Sequence, residues 1–73
     1  MDKNELQILI GKRIKQLRES KNMSQIELAS LCNFEKSNMN RLEAGNTNPT
    51  IFTLYIIAEN LNVPLIELID LNI

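Results

Sequence analysis

The sequence predicts an all-α fold made of five short helices. Apolar residues recur at helical spacing, and nowhere is there the Val/Thr alternation that a half-buried strand requires. The segments marked this way are bounded by residues that start and stop helices, with Ser24 and Thr50 at starts and Asn33, Gly45 and Asn62 at ends. The apolar fraction is 44%, yet it includes only two Phe and one Tyr, which suits a small core packed from Leu and Ile. Seventy-three residues are expected to form one domain, 1–73. A chain of that size buries about 60–65% of its unfolded surface, so no separate ligand-sensing or catalytic domain is expected.

The first helix is expected over residues 4–22. Leu6, Ile10, Ile14 and Leu17 fall at i, i+4, i+8 and i+11, which is one face. Lys12, Arg13, Lys15, Arg18 and Lys21 lie mainly on other faces. Gly11 interrupts this helix at a cost of about 1 kcal/mol relative to Ala, and close packing against a neighbour explains it. Ile8 and Leu9 stand off the main stripe and should be partly exposed.

The chain is organised around residues 24–45, SQIELASLCNFEKSNMNRLEAG. Ser24-Gln25-Ile26-Glu27 is a capping box, in which the Ser hydroxyl takes an N–H three residues on and the Glu reaches back. Leu28 and Ala29 form the buried side of the second helix, and Ala29 is small enough for a second backbone to approach. Asn33 tolerates the left-handed conformation that a sharp helix end needs. The third helix is expected from Glu35 to Ala44, ended by Gly45. Met39 and Leu42 form its apolar side. Lys36, Ser37, Asn40 and Arg41 share the opposite face at i, i+1, i+4 and i+5.

A loop of Asn46, Thr47, Asn48 and Pro49 leads to Thr50, the N-cap of a fourth helix over Ile51–Leu61 with Leu54, Ile57, Ala58 and Leu61 inward. Pro64 fits the first turn of a fifth helix that ends near Asp70. Leu65 and Leu68 can point inward. Ile66, Ile69 and Ile73 lie on another face, and an apolar stripe left on so small a surface marks a partner. Residues 63–73 are therefore expected to form a dimer contact; the competing expectation is that the first helix covers the stripe.

Net charge is −1 and the sequence pI is 5.3. Residues 1–45 hold all 8 Lys and Arg with 6 of the 9 acids, while residues 46–73 hold Glu59, Glu67, Asp70 and no base. That dipole would present the first half to a polyanion and turn the second half away. One Cys and no His leave no disulfide framework and no Cys-based metal site. With no apolar leader and no run of 18 apolar residues, a soluble cytoplasmic protein is expected. No glycine-rich phosphate loop or paired carboxylates stand out, so no enzyme, cofactor or small-molecule ligand is expected.

Three segments, GKRIKQLRES, MSQIELASLCNFEKSNMNRLEAGNTNPTIFTL and IAENLNV, together resemble the Cro/CI-type, Xre-like helix-turn-helix regulators from about Ile10 to Leu68. The most specific positions are Gln25, Leu28-Ala29, Asn33, Met39, Arg41-Leu42-Glu43, Gly45 and Asn48-Pro49. The resemblance implies a lambda-repressor-like five-helix DNA-binding domain in which helices two and three, about residues 24–45, are the helix-turn-helix. It implies that helix three lies in the major groove of double-stranded DNA. Carried over by position, Lys36, Ser37, Asn40 and Arg41 read bases, and Gln25, Asn46, Thr47 and Asn48 hold phosphates, the loop through its backbone N–H groups. Side-chain chemistry agrees: Arg or Lys donates to guanine O6 and N7, and Asn pairs with adenine N6 and N7. The family pattern also pairs Arg18 with Glu43 as a partly buried ion pair, and puts Cys32 in the core.

Three positions depart from the pattern. Asn33 replaces a turn glycine. Glu35 stands where a Ser or Thr cap is usual, and its carboxylate would face phosphates. Ala44 lacks a polar side chain that some relatives carry. The function expected is a sequence-specific transcriptional regulator, a repressor, that binds a palindromic operator as a homodimer. The alternative is a protein-interaction module or antitoxin-like partner-binding protein with the same fold and weak DNA binding.

Overall fold

Local capping chemistry sets most of the helix ends. The computed structural model describes residues 1–73 and contains five helices and no strand: α1 Lys3–Ser20, α2 Gln25–Cys32, α3 Lys36–Ala44, α4 Ile51–Leu61 and α5 Leu65–Ile69. Asp2 Oδ1 accepts the Glu5 N–H at 2.9 Å and starts α1 one residue earlier than expected. The capping box of α2 is complete: Ser24 Oγ accepts the Glu27 N–H at 3.0 Å, and Glu27 Oε1 accepts the Ser24 N–H at 3.0 Å. Thr50 Oγ1 accepts the Thr53 N–H at 3.1 Å and starts α4. Glu35 is the N-cap residue of α3, but its side chain makes no capping bond. Pro64 stands just outside α5 as its N-cap rather than in the first turn, and α5 ends at Ile69, one residue short of Asp70.

Four helices end in the same way. Asn22, Asn33, Gly45 and Asn62 all have positive φ, between 55° and 80°. The next residue donates back across the turn: Met23 to Arg18 O, Phe34 to Ala29 O, Asn46 to Arg41 O and Val63 to Ala58 O. This is the Schellman arrangement, and it satisfies carbonyls the helix leaves orphaned. It also explains why α1 stops at Ser20 rather than Asn22, since Asn22 already belongs to the reversal. Met23, Phe34 and Val63, the residues just past those turns, pack on the core and anchor three of the four ends.

The core contains Ile14 and Leu17 from α1, Leu28, Ala29 and Cys32 from α2, Met39 and Leu42 from α3, Leu54, Ile57, Ala58 and Leu61 from α4, and Leu68 from α5. Helix α1 packs on α3, α4 and α5, and α2 packs on α3 and α4. Leu6 is exposed, contrary to its expected place on the inward face. Gly45, just past the end of α3, meets α1 at Gln7 and Ile8, beyond the first turn that carries Leu6. Ile8 is partly exposed as expected and rests on Gly45. Helix α1 does not cover the C-terminal stripe: Ile66, Ile69 and Ile73 all stand exposed. Arg13 reaches α5 instead, donating through Nε to the Glu67 carbonyl at 2.9 Å.

Candidate nucleic-acid interface

The interface is built outward from one buried ion pair. Arg18 and Glu43 are each only 8% exposed. Arg18 Nε donates to Glu43 Oε2 at 2.6 Å, and Arg18 Nη2 donates to Oε1 at 2.9 Å. A third guanidinium donor, Nη1, meets the Met23 carbonyl at 2.8 Å. This fork ties α1 to the last turn of α3 and to the turn that leads into α2. The hydrogen bond to Glu43 raises the Arg18 pKa above its ordinary value, against the opposing effect of burial. No buried side-chain nitrogen or oxygen lacks a partner, which is the condition under which a buried ion pair holds geometry without an orphaned charge.

A second lock is steric. Gly11 faces the C-terminal carbonyls of α3, and a Cβ there would lie 2.5 Å from the Leu42 oxygen. Gln7 Nε2 donates to the Gly45 carbonyl at 3.2 Å. Helix α3 is thus held along its inner side by α1, and its outer side is free.

That outer side carries Lys36, Ser37, Asn40 and Arg41, all exposed. The face divides. Asn40 leans towards α2, where its Nδ2 meets Gln25 Oε1 at 3.4 Å. Arg41 turns the other way, donates to Asn38 Oδ1, and lines an open pocket of about 260 Å³ with Thr47, Asn48, Thr50 and Thr53. Gln25 is half-buried, and its Nε2 donates to Glu43 Oε1 at 3.0 Å. In the loop, the Asn46 N–H is taken by the Arg41 carbonyl at 2.9 Å, so Asn46 has only its side chain to offer a phosphate, contrary to the expectation of a backbone donor there. The Thr47 and Asn48 N–H groups make no hydrogen bond within the chain. The Schellman turn after Gly45 decides that difference, and the sequence signal for it was Gly45 itself.

Two features were not read from the sequence. One is the bond from Gln25 to Glu43, which depends on side-chain rotamers. The other is the exposed outer face of α4, where Phe52 and Tyr55 stack with ring centroids 6.2 Å apart beside exposed Ile51. Spacing was its available signal, since Ile51, Phe52 and Tyr55 at i, i+1 and i+4 lie off the inward stripe. Cys32 is buried, and desolvation pushes its thiol above the ordinary value. No group of three or more His, Cys, Asp or Glu could hold a metal ion. No helix is long and apolar enough to cross a membrane.

The helix-turn-helix family model HTH_3 matches residues 14–68. The chain belongs to that family. HTH_3 chains are DNA-binding transcriptional regulators of the Xre type, as the sequence resemblance implied. The HTH-type transcriptional regulator y4dJ of Sinorhizobium fredii, itself uncharacterised, is 36% identical over 61 residues, which span 84% of this chain and 79% of that protein. The restriction-modification controller protein C.AhdI of Aeromonas hydrophila superposes with a TM-score of 0.83 at 30% identity, over 88% of this chain and 96% of its own. The biofilm master regulator SinR, solved in complex with DNA, gives a TM-score of 0.77 at 39% identity over 84% of this chain and 98% of its own.

Proposed function

We propose that this HTH_3 protein is a cytoplasmic, sequence-specific transcriptional repressor that binds a near-palindromic operator as a homodimer. The observation that carries the reading is the free outer face of α3, with exposed Lys36, Ser37, Asn40 and Arg41 on a helix clamped from behind by Arg18, Glu43 and Gly11. Base reading falls to those four side chains. Backbone contacts fall to the side chain of Asn46 and to the free N–H groups of Thr47 and Asn48. Two copies paired through Ile66, Ile69 and Ile73 would set two recognition helices about 34 Å apart, one turn of duplex. Occupying a promoter in that way excludes polymerase, which is repression by occupancy.

A second reading is favoured by one observation: residues 46–73, which expose Phe52, Tyr55, Ile66, Ile69 and Ile73, hold three acids and no base. It makes the protein a partner-binding module with weak DNA affinity. Binding isotherms on selected duplexes at several salt concentrations separate the two. The repressor reading expects a sequence preference and an affinity that falls linearly on a log–log salt plot. A flat salt response, or equal binding to all duplexes, would favour the partner-binding module.

A further inference from the structure

Gln25 stands between the buried ion pair and a base-facing side chain, and the charge on Glu43 fixes which way both amides turn. Glu43 is held by two guanidinium donors and, as a carboxylate, can only accept. The Gln25 atom that meets it at 3.0 Å is therefore the donor, Nε2. Gln25 Oε1 then faces outward as an acceptor. The Asn40 atom opposite it must be a donor, and Nδ2 lies there at 3.4 Å. Asn40 is left with Oδ1 and one N–H unpartnered within the chain. An acceptor and a donor at amide spacing complement adenine N6 and N7 in the major groove.

We propose that Gln25 is a positioning residue for base recognition: it transmits the orientation imposed by Arg18 and Glu43 to Asn40, and so makes Asn40 select adenine. This rests on the reading of α3 as the recognition helix. The role differs from a phosphate contact, because a phosphate contact adds affinity on every sequence alike. It also assigns Arg18 and Glu43 a part in specificity, although neither reaches the surface.

The test compares the full chain with Asn40→Ala, Gln25→Lys and Gln25→Met on duplexes varied one base pair at a time. Lysine keeps a donor for Glu43 but offers Asn40 no acceptor. Methionine keeps the length and offers neither. Circular dichroism checks the fold of each variant. The wild-type protein should prefer adenine at one position per half-site by about tenfold. Asn40→Ala should abolish that preference. Gln25→Lys should reduce it to about twofold or less and leave the preferences at other positions intact. The double variant Gln25→Lys/Asn40→Ala should lose no more adenine preference than Asn40→Ala alone, the mark of coupled residues. An adenine preference that survives both Gln25 substitutions would overturn the positioning role alone. A uniform loss on all duplexes in Gln25→Met would also overturn it and make Gln25 a phosphate contact. A wild-type protein with no base preference would overturn the recognition-helix reading as well.

Discussion

Gly11 lies against the C-terminal carbonyls of α3, and a methyl group there would sit 2.5 Å from the Leu42 oxygen and 2.6 Å from that of Glu43. Both atoms are backbone, so no side chain can turn aside. In an exposed helix, Gly→Ala gains about 1 kcal/mol. Here overpacking should outweigh that gain, and Gly11→Ala is expected to destabilise by about 1–3 kcal/mol. Urea unfolding checks this, as a lower midpoint at unchanged slope. A stabilised variant would mean that α1 and α3 separate easily.

The Arg18–Glu43 pair makes a second prediction. Replacing Glu43 by Ala leaves a buried guanidinium without its carboxylate and should cost about 3–5 kcal/mol. For a 73-residue chain that is a large share of the expected stability. The double replacement Arg18→Met/Glu43→Leu should recover much of the loss, because neither residue then carries a buried charge. The folded-state pKa of Arg18 is raised, so its stabilisation is present below the unfolded value and is lost only as pH rises through the folded one. Both lie beyond the range where proteins are studied, so this pair should show no dependence on pH through Arg18 between about pH 5 and 9. Denaturation midpoints across that range, for wild type and double variant, measure it.

These two contacts differ in how legible they were. Gly11 stood out because a glycine in mid-helix needs a reason, and the reason was geometric. Glu43 and Arg18 came from the family pattern, since nothing in their spacing alone joins residues 25 positions apart. Caps were readable wherever one side chain decides them, as at Ser24, Thr50, Asn33 and Asn62. The end of α1 was misplaced because Lys21 and Asn22 are compatible with either a last helical turn or the reversal that follows it. Leu6 was misplaced because periodicity identifies a face and not how far the neighbouring helix extends. In the interface, spacing grouped Lys36, Ser37, Asn40 and Arg41 on one face. The turn of Asn40 towards α2 and of Arg41 towards the loop depends on rotamers and on neighbours distant in sequence.

Cys32 is buried, and its thiol is pushed up by desolvation. For an acid, a raised folded pKa removes stability as pH rises above the unfolded value, so the chain should weaken above about pH 9. At neutral pH the thiol should react with a thiol reagent about 100-fold more slowly than in urea, because labelling waits for local opening at a cost of about 3 kcal/mol. Comparable rates in the two conditions would place Cys32 on an open surface.

Ile66 is 71% exposed and Ile73 is 78% exposed, and on α4 the pair Phe52 and Tyr55 is also exposed. If these form the homodimer contact, Ile66→Glu should weaken dimerisation by about tenfold or more through a buried unpaired charge. Solution mass at micromolar concentration measures it. The wild-type protein should be dimeric and the variant monomeric with unchanged helix content. A wild-type monomer would remove the dimer and leave each domain to bind a single half-site.

Arg41 faces the loop side of α3 and lines the pocket with Thr47 and Asn48. As a base contact, its replacement by Ala should cost about 1–3 kcal/mol at one base pair and relax specificity there. Equal loss on every duplex would assign it to phosphate instead. Competition binding on a panel of single-base variants separates the two.

Selection of bound sites from random duplexes tests the central claim most directly. A dimeric reader built on α3 should enrich two related half-sites about 10–10.5 base pairs apart, centre to centre. Adenine should be enriched at the position that Asn40 reads. Recovery of unrelated sequences with no shared half-site would contradict sequence-specific recognition by this face.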